Sequence, residues 1–113
     1  MLTSGDVVEL NLGMPAGSEA GFGRPAVVVT AQRILDASPT VVQVVPLTTT
    51  IREFGSEVGI DPDDGNGVDQ ISAAQCQHLR AVSTGRVDRV RGNVGAATLA
   101  QIREVIGLVL DIS

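Results

Sequence analysis

Lysine, tryptophan and tyrosine are absent from this chain of 113 residues, which has one cysteine and one histidine. Without lysine, the glycine-rich stretch at residues 13–23 cannot be a Walker A loop, and its glycine spacing does not match a dinucleotide fingerprint either. The lone His78 has no cysteine or histidine partner at metal-ligand spacing and no nucleophile elbow beside it. The composition therefore argues against nucleotide hydrolysis, a metal site and a serine triad.

Long apolar runs are also missing. No stretch reaches the roughly 18 uninterrupted apolar residues of a membrane span, and Asp6 and Glu9 stand where a secretory signal would be basic and apolar. Cys76 has no partner for a disulfide, which suits a reducing compartment, and we expect it to be a small core residue. We therefore expect a cytoplasmic protein with no membrane contact, folded as a single domain over residues 1–113.

The net charge of −5 argues against general nucleic-acid binding, because phosphate contacts need local positive charge. Every cation is an arginine, however, and four of them cluster apart from an acidic turn. The cluster is Arg80, Arg86, Arg89 and Arg91, and the turn holds Asp61, Asp63, Asp64 and Asp69. Two interpretations remain open: a basic surface suited to phosphate, or a solvated face with ion pairs to Asp88.

The hydrophobic pattern predicts mostly strands. Alternation predicts a strand from residue 6 to 12, and continuous β-branched runs predict buried strands at 26–29 and 41–47. A shorter strand is expected at 57–60, and the glycine-rich residues 13–23 read as a long loop. We interpret residues 68–82 as one long bent strand, with a helix as the competing interpretation.

A C-terminal helix follows Gly95. Leu99, Ile102, Ile106 and Val109 recur at helical spacing. Five or more short strands and one helix predict a mainly β fold, a small barrel whose open end the helix covers. Further apolar residues, Val105, Leu108 and Leu110, widen the helix's apolar arc. That arc leaves surface for a partner subunit, although burial in a monomer core would also explain it.

Two sequence blocks carry a resemblance to a known family. They are Gly17-Ser18-Glu19 with Arg24-Pro25-Ala26-Val27-Val28-Val29, and Val45-Pro46-Leu47-Thr48-Thr49. With Gly5-Asp6 and the C-terminal helix, they resemble the MazF/PemK toxin endoribonucleases along nearly the whole chain. The resemblance implies an SH3-like β-barrel of the CcdB/PemK type, a homodimer, cleavage of single-stranded RNA, and a cognate antitoxin that occupies the RNA groove. It implies no metal and no cofactor.

The resemblance places the catalytic pair at Arg24 and Thr48. In the implied reaction, the ribose 2′-hydroxyl attacks its own phosphate and leaves a 2′,3′-cyclic phosphate and a 5′-hydroxyl. Arg24 would stabilise the phosphorane, and the Thr48 hydroxyl would bond a non-bridging oxygen. Glu19 is a candidate for accepting the 2′-hydroxyl proton, with an exposed loop carboxylate as the alternative.

Further residues are candidates for RNA contact. Phe22 and Phe54 fall in loops that flank the catalytic pair, where they would stack on bases or pin the loops to the barrel. Beyond these, the candidates are Ser18, Thr49, Arg52, Gln75, Gln77 and Arg80. The last three stand where the family match weakens, so ordinary polar positions of a strand are their alternative. Some relatives use an aspartate and an arginine there, but residues 74–77 contain neither, and that role is not transferred.

Two other functions stay open. Gyrase-poisoning toxins share this barrel and act by binding a protein, but they carry a tryptophan near the C-terminus, which this chain lacks. An inactive homologue that serves as a binding partner is the other alternative.

Overall fold

The computed structural model describes residues 1–11 and 24–112. The predicted glycine-rich loop, together with Ser18, Glu19 and Phe22, lies outside this part of the chain. Within the described ranges, no helix is both long enough and apolar enough to cross a membrane.

Across the described part of the chain, the fold consists of seven antiparallel strands and a C-terminal helix. The strands are β1 (Asp6–Leu10), β2 (Arg24–Val28), β3 (Val41–Thr48), β4 (Glu57–Ile60), β5 (Ser72–Gln75), β6 (Arg80–Ser83) and β7 (Val87–Asn93). The helices are the four-residue α1 (Gln32–Leu35) and α2 (Ala96–Leu110). The predicted fold class, mainly β with a C-terminal helix, is confirmed.

The strand order is β4-β5-β3-β2-β1-β7, and β6 pairs with β3 beside this path. Among the described residues β4 and β7 stand at opposite ends of the sheet, and no ladder joins them, so the sheet does not close on itself. The first half of β3 pairs with β6, and its end pairs with β5. This change of partner at Val45 and Pro46 makes room for the turn that carries part of the candidate site.

The central strands are buried on both faces, as their apolar runs predict. Along β2, Val27 packs into one hydrophobic cluster, while Ala26 and Val28 pack into the other. The first cluster lies under α2 and includes Leu99 and Ile102. Because adjacent side chains of a strand point to opposite faces, a continuous aliphatic run serves two cores at once.

The long bent strand predicted for residues 68–82 is wrong. The chain enters β5 only at Ser72, makes a 3-10 turn at Cys76–His78, and resumes as β6 at Arg80. The turn forms because the buried Cys76 points toward α2, with its Sγ 3.8 Å from the carbonyl oxygen of Ile102. Apolar residues lie on both sides of the turn, so the hydrophobic pattern resembles that of one continuous strand and does not reveal the turn.

The acidic turn packs against β7, an edge strand to which the sequence analysis assigned no element. Asn66 is buried and bonds the backbone of Asp61, Asp63 and Val68. The backbone of Gly92 on β7 lies so close that a Cβ there would overlap the carbonyl oxygen of Gly65. The aspartate-rich turn is therefore held by packing against β7 and is not simply a solvated loop.

Candidate active site

A cleft of about 410 Å³ opens where β2 and β3 end beside the Cys76–His78 turn. Its floor is apolar, and the side chains with functional groups stand around it. The floor residues are Leu10, Pro25, Val44, Pro46 and Leu47, and the functional ones are Arg24, Thr48, Gln75, His78 and Arg80. The cleft thus combines a shaped apolar base with hydrogen-bond donors and positive charge, as ligand sites commonly do.

Arg24 and Thr48 occupy facing ends of two paired strands. The β2–β3 ladder pairs Ala26 with Pro46 and Val27 with Val45. The same register carried two residues further sets Arg24 opposite Thr48, and both line the cleft. The two residues that the family resemblance selects therefore come together through strand pairing, although 24 positions separate them in the chain.

The Thr48 hydroxyl is oriented by the backbone. Its Oγ1 accepts a hydrogen bond of 3.1 Å from the N–H of Thr50, in the turn that follows β3. A hydroxyl has one proton to donate and two lone pairs to accept with, so this contact leaves its proton available. Thr48 can therefore donate to an oxygen of a bound phosphate without losing its backbone contact.

The cleft is locally positive although the chain is acidic. Among the described residues, neither Arg24 nor Arg80 forms an ion pair, and no carboxylate lines the cleft. The arginines of β7 are engaged elsewhere, since Arg89 Nε lies 2.6 Å from Glu9 and Arg91 Nη2 lies 2.9 Å from Asp69. Of the four clustered arginines, Arg80 lines the cleft and Arg89 and Arg91 form ion pairs. The fourth, Arg86, donates a hydrogen bond of 3.2 Å to the carbonyl oxygen of Asn11.

Those ion pairs differ from the alternative drawn from the sequence, which expected Asp88 as the partner. The β1–β7 ladder has register shifts on either side of the Val8–Val90 and Glu9–Arg89 pairs. These shifts bring Glu9, on the neighbouring strand, across from the arginines, and Asp88 forms no ion pair within the described ranges. Cross-strand register, and not closeness in the chain, selects the partner.

The two candidate glutamines are placed differently. Gln75, the last residue of β5, lines the cleft. Gln77 turns away from it, and its Nε2 donates a hydrogen bond of 3.3 Å to Glu57 on β4. The 3-10 turn that begins after Gln75 contains Gln77 and rotates the backbone there, so the alternation expected of one continuous strand does not apply.

Three other candidates lie on the connection from β3 to β4. Thr49 lines a smaller neighbouring cleft of about 130 Å³ together with Asp69 and Arg91. Arg52 and Phe54 are exposed, Phe54 to 53%. The phenyl ring of Phe54 is thus accessible for stacking, but it does not line the main cleft.

His78 also lines the cleft, although its sequence context suggested only a metal site or a serine triad as possible roles. It is the last residue of the 3-10 turn, and its side chain is exposed. A single histidine inside a misassigned strand gives no pattern to recognise. Its position follows from tertiary contacts of the turn, which could not be predicted from the sequence.

No three His, Cys, Asp or Glu side chains within residues 1–11 and 24–112 come together as they would around a metal ion. The expectation that the chemistry needs no metal stays a prediction, because it is a statement about the reaction.

Comparison with known proteins agrees with the fold. The chain matches the model of the PemK-like, MazF-like toxins of type II toxin-antitoxin systems over residues 3–110. It is similar to endoribonuclease MazF9 of Mycobacterium tuberculosis, with 34% identity over 99% of this chain and 98% of the relative. The chain therefore belongs to the PemK-like, MazF-like toxin family.

Solved structures give the same result. The Mycobacterium tuberculosis toxin MazF-mt6 superposes with a TM-score of 0.77 at 25% identity, covering 96% of this chain and 98% of that one. The MazE-MazF structure (Form-II) from Deinococcus radiodurans superposes with a TM-score of 0.77 at 27% identity, covering 97% of this chain and 96% of that one. The similarity extends over the whole fold and includes α2.

Proposed function

We propose that this chain is an endoribonuclease toxin, paired with a cognate antitoxin, that cuts single-stranded RNA in the cleft between Arg24 and Thr48. Family membership and the similarity to endoribonuclease MazF9 over nearly the full length support the activity. The observation that carries the site is the position of Arg24 and Thr48 at facing ends of two paired strands, in a cleft whose described lining has two arginines and no carboxylate. An RNA substrate places the proposed action in the cytoplasm.

The reaction uses the substrate's own nucleophile. The ribose 2′-oxygen loses its proton and bonds to phosphorus, the bond from phosphorus to the 5′-oxygen breaks, and that oxygen takes up a proton. The products are a 2′,3′-cyclic phosphate and a 5′-hydroxyl, without a metal ion. The Arg24 guanidinium stabilises charge on the phosphorane, and the Thr48 hydroxyl donates to a non-bridging oxygen.

RNA contacts extend outward from this pair. Arg80 and Gln75 stand in the cleft and are placed to contact phosphate or base edges. Thr49, Arg52 and the exposed Phe54 continue the surface beyond β3, where stacking and phosphate contacts need no particular sequence. In the same proposal Ser18 and Phe22 contact RNA from the preceding segment. Gln77 contacts RNA only if its bond to Glu57 opens.

We propose a homodimer in which the C-terminal end of α2 belongs to the partner surface. Leu108, Leu110 and Ile112 are 62%, 51% and 72% exposed, which is unusual for large apolar side chains grouped at one helix end. The antitoxin would neutralise the toxin by covering the RNA cleft. Sedimentation at micromolar concentration tests the dimer, since a strict monomer there contradicts it.

Incubation of the purified protein with a long unstructured RNA in EDTA tests the activity. We expect discrete cuts with cyclic phosphate ends, abolished by Arg24→Ala and strongly reduced by Thr48→Val, which removes the hydroxyl and keeps the shape. Arg33→Ala is the matched control, because it removes an exposed arginine on α1, away from the cleft. Cleavage by Arg24→Ala at the wild-type rate would contradict the site. A folded wild-type protein that cuts nothing would favour the binding-only alternatives.

A further inference from the structure

The proposed reaction needs a general base, a group that takes a proton from the 2′-hydroxyl. Few of the described residues that line the cleft can do so. Arginine stays protonated at every physiological pH, so Arg24 and Arg80 cannot accept a proton. The hydroxyl of Thr48 and the amide of Gln75 do not titrate in the relevant range. Of the described side chains that line the cleft, only His78 has a ring nitrogen that can accept a proton, and histidine is the residue that most often serves as a general base.

The turn that carries His78 is fixed on both sides. The buried Cys76 anchors its start against α2, with Sγ 3.8 Å from the carbonyl oxygen of Ile102. The N–H of Leu79 donates to the carbonyl oxygen of Cys76 at 3.2 Å and closes the turn. Gln77 is turned away toward Glu57. These contacts direct consecutive side chains to different sides, and His78 is the one that reaches the cleft.

From this arrangement the geometry points to His78 as the general base of RNA cleavage, an inference that rests on the proposed function. A neutral ring nitrogen of His78 takes the proton of the 2′-hydroxyl as its oxygen bonds to phosphorus. The bond to the 5′-oxygen breaks, and that oxygen takes a proton from water. The imidazolium then returns its proton to solvent, so the residue is regenerated after each cut.

The charged groups around His78 are consistent with this role. Arg24 on β2 and Arg80 on β6 line the same cleft as His78, and the described lining contains no carboxylate that would hold the imidazole in an ion pair. The two arginines are placed to bind phosphate, which brings the adjacent ribose into reach of the ring. Glu19, suggested from the sequence for the same proton, is the competing acceptor.

Variants at several positions test the assignment. His78→Ala lowers the cleavage rate by roughly 10²–10⁴-fold, the usual contribution of a general base. Arg33→Ala, the control away from the cleft, cleaves at the wild-type rate. A loss of cleavage in Glu19→Gln with none in His78→Ala would assign the proton to Glu19 and overturn the inference. The removal of an exposed side chain leaves the fold intact, which circular dichroism and thermal unfolding verify. The acidic limb of the wild-type pH–rate profile, which reports protonation of the base, disappears in His78→Ala.

Chemical rescue is the decisive readout. Added imidazole restores cleavage by His78→Ala in proportion to its neutral fraction, and it does not restore Arg24→Ala, which lacks a cation and not a base. Wild-type rates in His78→Ala overturn the inference. So does a slow His78→Ala protein that keeps the wild-type pH profile and gains nothing from imidazole. If wild type cuts RNA and Arg24→Ala does not, these results refute His78 alone, whereas a wild-type protein that cuts nothing refutes the proposed function as well.

Discussion

Arg103 on α2 donates a hydrogen bond of 3.1 Å from Nη2 to the carbonyl oxygen of Val29, one residue past the end of β2. The same nitrogen lies 3.3 Å from the carbonyl oxygen of Thr30. One guanidinium thus ties the C-terminal helix to the strand that begins with Arg24. Arg103 thus holds the end of β2 that lies away from the cleft. Its removal should therefore lower stability more than activity.

Arg103→Ala should lower the free energy of unfolding by roughly 1–2 kcal/mol. This is at the low end for hydrogen bonds from a charged donor, because Arg103 is exposed and water competes for its guanidinium. Urea unfolding measures the change. Arg33→Ala is the control, since Arg33 is an exposed arginine on the short helix α1, and it should shift the midpoint very little. Equal stability of the two variants would show that the tie to Val29 contributes nothing.

Gly92→Ala should destabilise the protein by roughly 1–3 kcal/mol or more, because the new Cβ would overlap the backbone of Gly65 and Asn66. The acidic turn would have to leave β7. Gly59→Ala is the matched control, since a Cβ on that strand glycine meets nothing within 4 Å. Thermal unfolding of both variants checks the prediction, and equal melting temperatures would contradict the close packing.

Burial raises the pKa of the Cys76 thiol from its ordinary 9.0 to about 11. Between these values the unfolded chain loses the proton and the folded chain keeps it, so stability is fully present below pH 9 and falls as pH rises toward 11. Urea unfolding at pH 8 and pH 10.5 measures this loss, which should be smaller in Cys76→Ala. An identical loss in both proteins would place the titration elsewhere.

Arg80→Ala should weaken RNA binding and reduce the salt dependence of affinity by about 0.7 in the log–log slope, the loss of one phosphate contact on a single strand. Arg89→Ala is the control, because Arg89 is paired with Glu9 on the β7 edge. Titrations of a non-cleavable RNA analogue at several salt concentrations give the slopes. An unchanged slope for Arg80→Ala would show that Arg80 does not contact an RNA phosphate.

Much of the fold could be predicted from the sequence because hydrophobic periodicity reports burial directly. The strands β1 to β4 and helix α2 carry uninterrupted patterns and stand where those patterns place them. The strand β7 was missed because its arginines and aspartate interrupt the alternation at an edge with two register shifts. The turn at Cys76–His78 was missed because contacts with α2 create it.

The candidate site was predictable to a different extent. Arg24 and Thr48 were selected by the family resemblance, and strand pairing then accounts for their meeting. Nothing local distinguishes Gln75, which lines the cleft, from Gln77, which contacts Glu57. The backbone rotates in the 3-10 turn that follows Gln75. Because of this rotation, Gln75 and His78 line the cleft and Gln77 does not.

We propose that the 2′-hydroxyl at the cut site is the nucleophile and that Arg24 and Thr48 position it in the cleft. The most direct measurement compares two RNA oligonucleotides that contain the mapped cut site, one of them with a single 2′-deoxyribose on the 5′ side of the scissile phosphate. We expect the modified strand to bind with little loss of affinity and to remain uncut. Cleavage of that strand at a comparable rate would show that the 2′-hydroxyl is not the nucleophile.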